Sequence, residues 1–173
     1  MKHVLTLFFA LLLSVNAAAG TLKEAEVTAL VARIDEMMAM FEKGNPEDLI
    51  ALTHPSVYKI TGSKEEFERV ARNAIADLAK YNVKFVSSKY GTPTRTYKAG
   101  KEEVCFVPRV SIMQINGQQA RSTGFMVAIR PVGGAQWKFL DGAGLAKNPG
   151  LLYTLLPKLE RNITLPPHGV EKQ

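Results

Sequence analysis

His54 and Asp141 are the two side chains whose types suit acid–base chemistry. His54 stands before Pro55, after a short apolar helical run, and Asp141 closes the strand-like run Gln136–Asp141. An imidazole oriented by a carboxylate is the minimum for proton abstraction. Arg109 or Arg121 would then hold a substrate carboxylate or stabilise an enolate. Each residue also has a plain role: His54-Pro55 capping the second helix, Asp141 turning before Gly142 through its own backbone bonds. One histidine and one well-placed acid are a thin set for an enzyme, and the balance leans towards a non-catalytic chain.

Other chemistries have less support. The histidines are His3, His54 and His168, no two at metal-ligand spacing, so neither a metal nor a cofactor is expected. Gly142-Ala143-Gly144 lacks the third glycine and the strand–helix–strand setting of a dinucleotide site. Cys105 is the one cysteine, it lies in a strand pattern, and a small buried hydrophobe is the expected role.

The elements that must position these residues follow from periodicity. Thr21 with Glu24 reads as a capping box, opening a helix through Leu30, Ile34, Met37, Met38 and Phe41 to a stop at Gly44. Asn45-Pro46 starts a second, short helix ending before Pro55. Val57–Ile60 reads as a brief strand, and Ser63 with Glu66 opens a third helix through Phe67, Val70, Ala74 and Leu78. The period changes to two from Val83. Candidate strands run to Tyr90, over Thr94–Lys98, and then along Glu103–Ile115 and Gln118–Arg130, joined by Asn116-Gly117 as a tight hairpin turn. Pro108 inside the first long strand requires an edge position or a bulge. On Gln136–Asp141, alternation puts Trp137, Phe139 and Asp141 on one face and Lys138 with Leu140 on the other. Asn148-Pro149 begins a last helix through Leu151–Leu156, and the remainder is an extended tail.

The chain begins with Lys2 and His3, an apolar run over Val4–Val15, and Ala17-x-Ala19. That pattern is a cleavable secretory signal with a cut after Ala19, placing the protein in the periplasm or outside the cell. The apolar run falls short of the roughly 20 residues of a spanning helix, so no transmembrane anchor is expected after cleavage. Residues 20–161 then form a single domain and 162–173 a tail. The helical half is acidic and the strand half basic. Lys84, Lys89, Arg95, Lys98, Arg121, Arg130 and Lys138 suggest association with an anionic surface. Export argues against nucleic acid as the partner.

Helices followed by a bent antiparallel sheet, with Thr53-His54-Pro55 after helix two and Trp137-Lys138-Phe139-Leu140-Asp141-Gly142 on the last strand, resemble the nuclear transport factor two-like superfamily. The resemblance covers roughly Thr21 to Leu156 and looks most like small exported bacterial members of unassigned activity. It implies an α+β fold in which three N-terminal helices pack on a strongly curved antiparallel sheet, forming a cone, with the C-terminal helix as an addition. It implies a pocket between helices and sheet, here lined by Tyr58, Arg109, Trp137 and Phe139, for a small apolar ligand or a protein partner. It also implies a possible homodimer through the sheet, and a location for His54 and Tyr58 where enzymes of the superfamily place acid–base residues. Fold fixes where function sits better than what it is.

Overall fold

The computed structural model describes residues 20–93 and 95–172. The expected signal segment, residues 1–19, lies outside the described residues. Among those described, no helix is long and apolar enough to cross a membrane.

A long hairpin forms the centre of an α+β fold. Strands β3 (Glu102–Ile115) and β4 (Gln118–Pro131) pair without interruption from Glu102↔Pro131 to Ile115↔Gln118. Asn116 (φ 51°) and Gly117 (φ 85°) close it, the positive φ values that a type I′ turn demands. Each outer edge of the hairpin is shared by two short strands. On β3 lie β1 (Val83–Tyr90) and β2 (Tyr97–Ala99); on β4 lie β5 (Lys138–Asp141) and β6 (Gly169–Lys172).

This sharing accounts for Pro108. β1 pairs with β3 from Arg109 onward and β2 pairs with Glu102–Val104, so Pro108 stands in the gap between them, where its missing N–H leaves no ladder bond unmade. Its carbonyl accepts from Gly91 N at 2.8 Å. The proline is thus locally at an edge, and the bulge lies elsewhere, at Val86 in β1, where the register shifts between Phe85 and Ser87.

Helix α1 (Glu24–Glu42) buries Leu30, Ile34, Met37 and Met38 against Cys105, Val107, Met126, Ala128, Trp137 and Phe139. Its cap lies two residues later than Thr21 and Glu24 suggest: Lys23 is the N-cap residue, and Glu26 Oε2 accepts from Lys23 N at 3.1 Å. Short α2 (Glu47–Leu52) follows, opened by Asn45 Oδ1 accepting from Glu47 N at 3.0 Å. The strand expected over Val57–Ile60 does not form. Pro55–Val57 is a 3₁₀ turn and Tyr58–Thr61 a single turn of helix, α3, because Pro55 pre-sets a helical φ and Gly62 (φ 92°) ends the turn. Helix α4 (Lys64–Lys80) starts where Ser63 Oγ accepts from Glu66 N at 3.1 Å.

The other sheet face is covered as well. Val104, Phe106, Phe125, Val127, Ile129 and Leu140 pack on Leu145 and Ala146 of α5 (Gly142–Lys147) and on Leu152 and Leu155 of α6 (Gly150–Leu155). The C-terminal helices therefore cover one end of this face. Here a second sheet could not dock without displacing them. The expected extended tail ends in β6, which pairs Gly169–Lys172 with Ala120–Thr123.

Candidate functional site

Strand parity decides which candidates meet. Asp141 is in register with Met126, which faces α1, and Arg109 lies on that same face by alternation along β3. Arg109 Nη2 donates to Asp141 Oδ1 at 3.2 Å. His54 is set by backbone pairing to the outer edge of β5, its N–H donating to Phe139 O at 2.9 Å. Its buried ring turns the other way. Nε2 lies 3.1 Å from Glu102 Oε1 and Nδ1 lies 2.8 Å from Ser56 Oγ, with Ser56 N donating to Nδ1 at 3.3 Å. The expected His54–Asp141 pair is therefore not made: both ring nitrogens have other partners, and Asp141 is held by Arg109. Glu102 escaped notice because 48 residues separate it from His54 and no local motif links them.

The expected pocket lining is also divided. Trp137 is sealed under α1, with the Arg130 guanidinium 4.3 Å from its ring centre, and its outer edge lines an open groove with Ala25, Glu26 and Ala29. Tyr58 packs on Phe67, ring centres 6.0 Å apart. Phe139 and Arg109 do line hollows beneath the helices. The larger, about 590 Å³, lies between α4 and the α1-facing side of the sheet, lined by Phe67, Val70, Ala71, Ala74, Leu78, Phe85, Met113 and Met126, with Arg109 and Asp141 as its charged groups. The second, about 370 Å³, shares Leu49, Phe67, Met126 and Asp141 with it and extends past Phe139 to Leu145, Leu151 and Leu155.

The hollow exists because α4 is amphipathic but does not close on the sheet. Of its apolar stripe, Ala71 alone is buried, and Val70 remains 44% exposed at the mouth. The helix is held in position by the Tyr58–Phe67 contact at the wall of the hollow and by an ion pair from Arg72 to Glu47 of α2. Beside Arg109 on the neighbouring strand, the Tyr90 hydroxyl is buried with no hydrogen-bond partner, and burial pushes its pKa up to about 12, so it stays protonated.

The basic residues are divided between the two sheet faces. Register puts Lys84, Lys89 and Arg121 on the face away from α1. Arg121 lies 3.7 Å from Glu171, and the Lys138 ammonium donates to Ala51 O at 2.6 Å. Arg95 sits over the Tyr97 ring and donates to Asn162 O at 3.3 Å, and Lys98 is exposed between the buried Tyr97 and Ala99 of β2. Arg130 is buried, donating to Glu26 Oε1 at 2.7 Å and Glu103 Oε1 at 2.6 Å, which removes it from any docking surface. Cys105 is fully buried and burial pushes its thiol up to about 12, leaving no thiolate nucleophile. Among the described residues, no group of three or more His, Cys, Asp or Glu side chains could hold a metal ion. Set beside known proteins, the chain matches no family model, no curated protein and no solved structure.

Proposed function

We propose that this is an exported binding domain of the nuclear transport factor two-like type, whose hollow beneath α4 takes up a small, largely apolar molecule with one polar end. The observation that carries the reading is the unfilled apolar stripe of α4. Phe67, Val70, Ala71, Ala74 and Leu78 line a partly open hollow of about 590 Å³ and do not pack onto the sheet. Protein interiors leave few voids larger than a water molecule, and ligand pockets run from about 300 to 1,000 Å³ with mostly apolar walls and a few placed polar groups. Arg109 and Asp141 supply those polar groups, and the two hollows together suit an elongated guest.

The hollow acts by binding rather than by catalysis in this reading, since its charged groups are engaged with each other and the histidine lies outside it. Its test is native mass spectrometry of the protein purified from its own source, followed by solvent extraction. A reproducible co-purifying apolar molecule is expected, together with saturable uptake of an environment-sensitive apolar dye by the extracted protein. Protein that carries nothing and takes up no dye would overturn the reading. The alternative acid–base enzyme built on His54 and Asp141 loses its pairing, and the anionic-surface alternative loses Arg130 while Lys84, Lys89 and Arg121 keep one face in common.

A further inference from the structure

We propose that Ser56, His54 and Glu102 form a separate hydrolytic site that cleaves esters bearing a negative charge, independent of the hollow beneath α4. The three side chains form one hydrogen-bonded chain: Ser56 Oγ to His54 Nδ1 at 2.8 Å, and His54 Nε2 to Glu102 Oε1 at 3.1 Å. The Ser56 backbone N–H also points at Nδ1, 3.3 Å away, so Nδ1 is the accepting nitrogen and Nε2 carries the proton given to the carboxylate. The imidazole is thus held in the tautomer that can take a proton from the hydroxyl, with a carboxylate to stabilise the imidazolium that results. Nucleophile, base and orienting acid within hydrogen-bond reach are the arrangement that activates a serine. The ring nitrogens are used in the opposite sense from the familiar serine triads, a consequence of placing the serine only two residues from the histidine.

The location supports this role. These residues line a hollow of about 360 Å³ on the opposite sheet face from Asp141, with Lys59 and Lys158 at its sides and Leu155, Leu156 and Pro157 as apolar wall. Lys59 is steadied by donating to Leu155 O at 3.1 Å, and the Lys158 stem lies over Gly100, where a Cβ would meet its Cδ at 2.8 Å. Two ammonium groups outweigh the single carboxylate, so an anionic acyl group is favoured, and either lysine is of the charge that stabilises an oxyanion. Capping the 3₁₀ turn needs only Nδ1. It does not account for Glu102 on the far nitrogen, nor for a hydroxyl closer to the ring than the amide is.

The reaction balances without a cofactor. Ser56 Oγ bonds to the acyl carbon while its proton passes to Nδ1, the carbon–alkoxy bond breaks, and the departing alkoxide takes that proton. Water then attacks the acyl-serine by the same route in reverse, giving a carboxylic acid and restoring the hydroxyl. Ser56 and His54 are the catalytic residues, and Glu102 is a positioning residue.

The test uses the whole mature chain, a fluorophosphonate probe, and para-nitrophenyl esters of a dicarboxylic half-acid and of butyrate. Peptide mapping is expected to place the probe on Ser56 in the wild type, with the charged ester cleaved faster than the neutral one. Ser56→Ala should abolish labelling and lower ester cleavage by about 100-fold, the scale of a positioned base and its nucleophile. Glu102→Gln should lower kcat with KM unchanged. No adduct at Ser56 in the wild type, or equal hydrolysis by Ser56→Ala, would overturn the proposal without bearing on the hollow beneath α4. A Glu102→Gln variant that melts lower yet keeps the wild-type kcat would remove Glu102 from it.

Discussion

Arg109 on β3 reaches past β4 to Asp141 at the end of β5, Nη2 to Oδ1 at 3.2 Å, and this pair is where the two hollows beneath the helices meet charge. Arg109 is nearly covered whereas the Asp141 side chain is 54% exposed, so the aspartate can be exchanged for another acceptor at little cost. Arg109→Met should therefore change melting by no more than the equivalent of about 1 kcal/mol. It should weaken a guest with an acceptor head by about tenfold, the scale of one charge-assisted hydrogen bond, and leave a purely apolar guest unaffected. Calorimetric titration with a matched pair of guests measures both.

Filling the hollow separates binding from folding. Ala74 lines it from α4 and is exposed, so Ala74→Trp places a ring in existing space. Dye uptake should fall at least about tenfold while the melting temperature holds or rises, since added apolar burial stabilises by about 25 cal/mol per Å². Loss of both together would show that α4 packs more closely than described.

Gly142 is required by close approach. A Cβ there would lie 2.3 Å from Phe125 O and within 2.7 Å of the Phe125 ring, in the interval of β4 that neither β5 nor β6 pairs. Backbone cannot yield as a side chain can, so Gly142→Ala should cost about 3 kcal/mol, read as a shift in urea midpoint at unchanged slope. Gly144→Ala, with nothing within 4 Å of its added carbon, serves as the control.

Arg130 ties α1 to the hairpin through Glu26 and Glu103 and stacks on Trp137. Arg130→Met leaves Glu103, nearly covered, without its partner, and should destabilise by about 3 kcal/mol in urea unfolding at neutral pH. The Glu26 carboxyl is held below its ordinary value of 4.5, first by the backbone N–H of Lys23 and then by Arg130. A depressed folded pKa contributes stability that is present above 4.5 and is lost as pH falls through the folded value. Wild-type stability should thus decline as pH drops below that range, and Glu26→Gln should flatten this part of the profile.

Buried Cys105 should react with iodoacetamide only after unfolding, and native-state labelling faster than global unfolding would contradict its place in the core.

Periodicity and turn chemistry alone determined the long hairpin, its Asn116-Gly117 turn, the buried stripe of α1, the Ser63 cap and the face shared by Trp137, Phe139 and Asp141. These are local properties: a dihedral preference or a repeat of two or 3.6 residues carries them, and no distant residue is needed. Pro108 also announced a break in strand pairing, although only the sharing of the β3 edge between β1 and β2 showed which kind. Tertiary structure decided everything that depends on which face of the sheet a side chain meets across a long loop. It sent the His54 ring to Glu102 and Asp141 to Arg109, buried Arg130 between two carboxylates, covered the second face with α5 and α6, and held α4 off the sheet. Those outcomes depend on contacts between residues tens of positions apart, where a shift of one residue in register reverses every facing, and no short window of sequence contains that information.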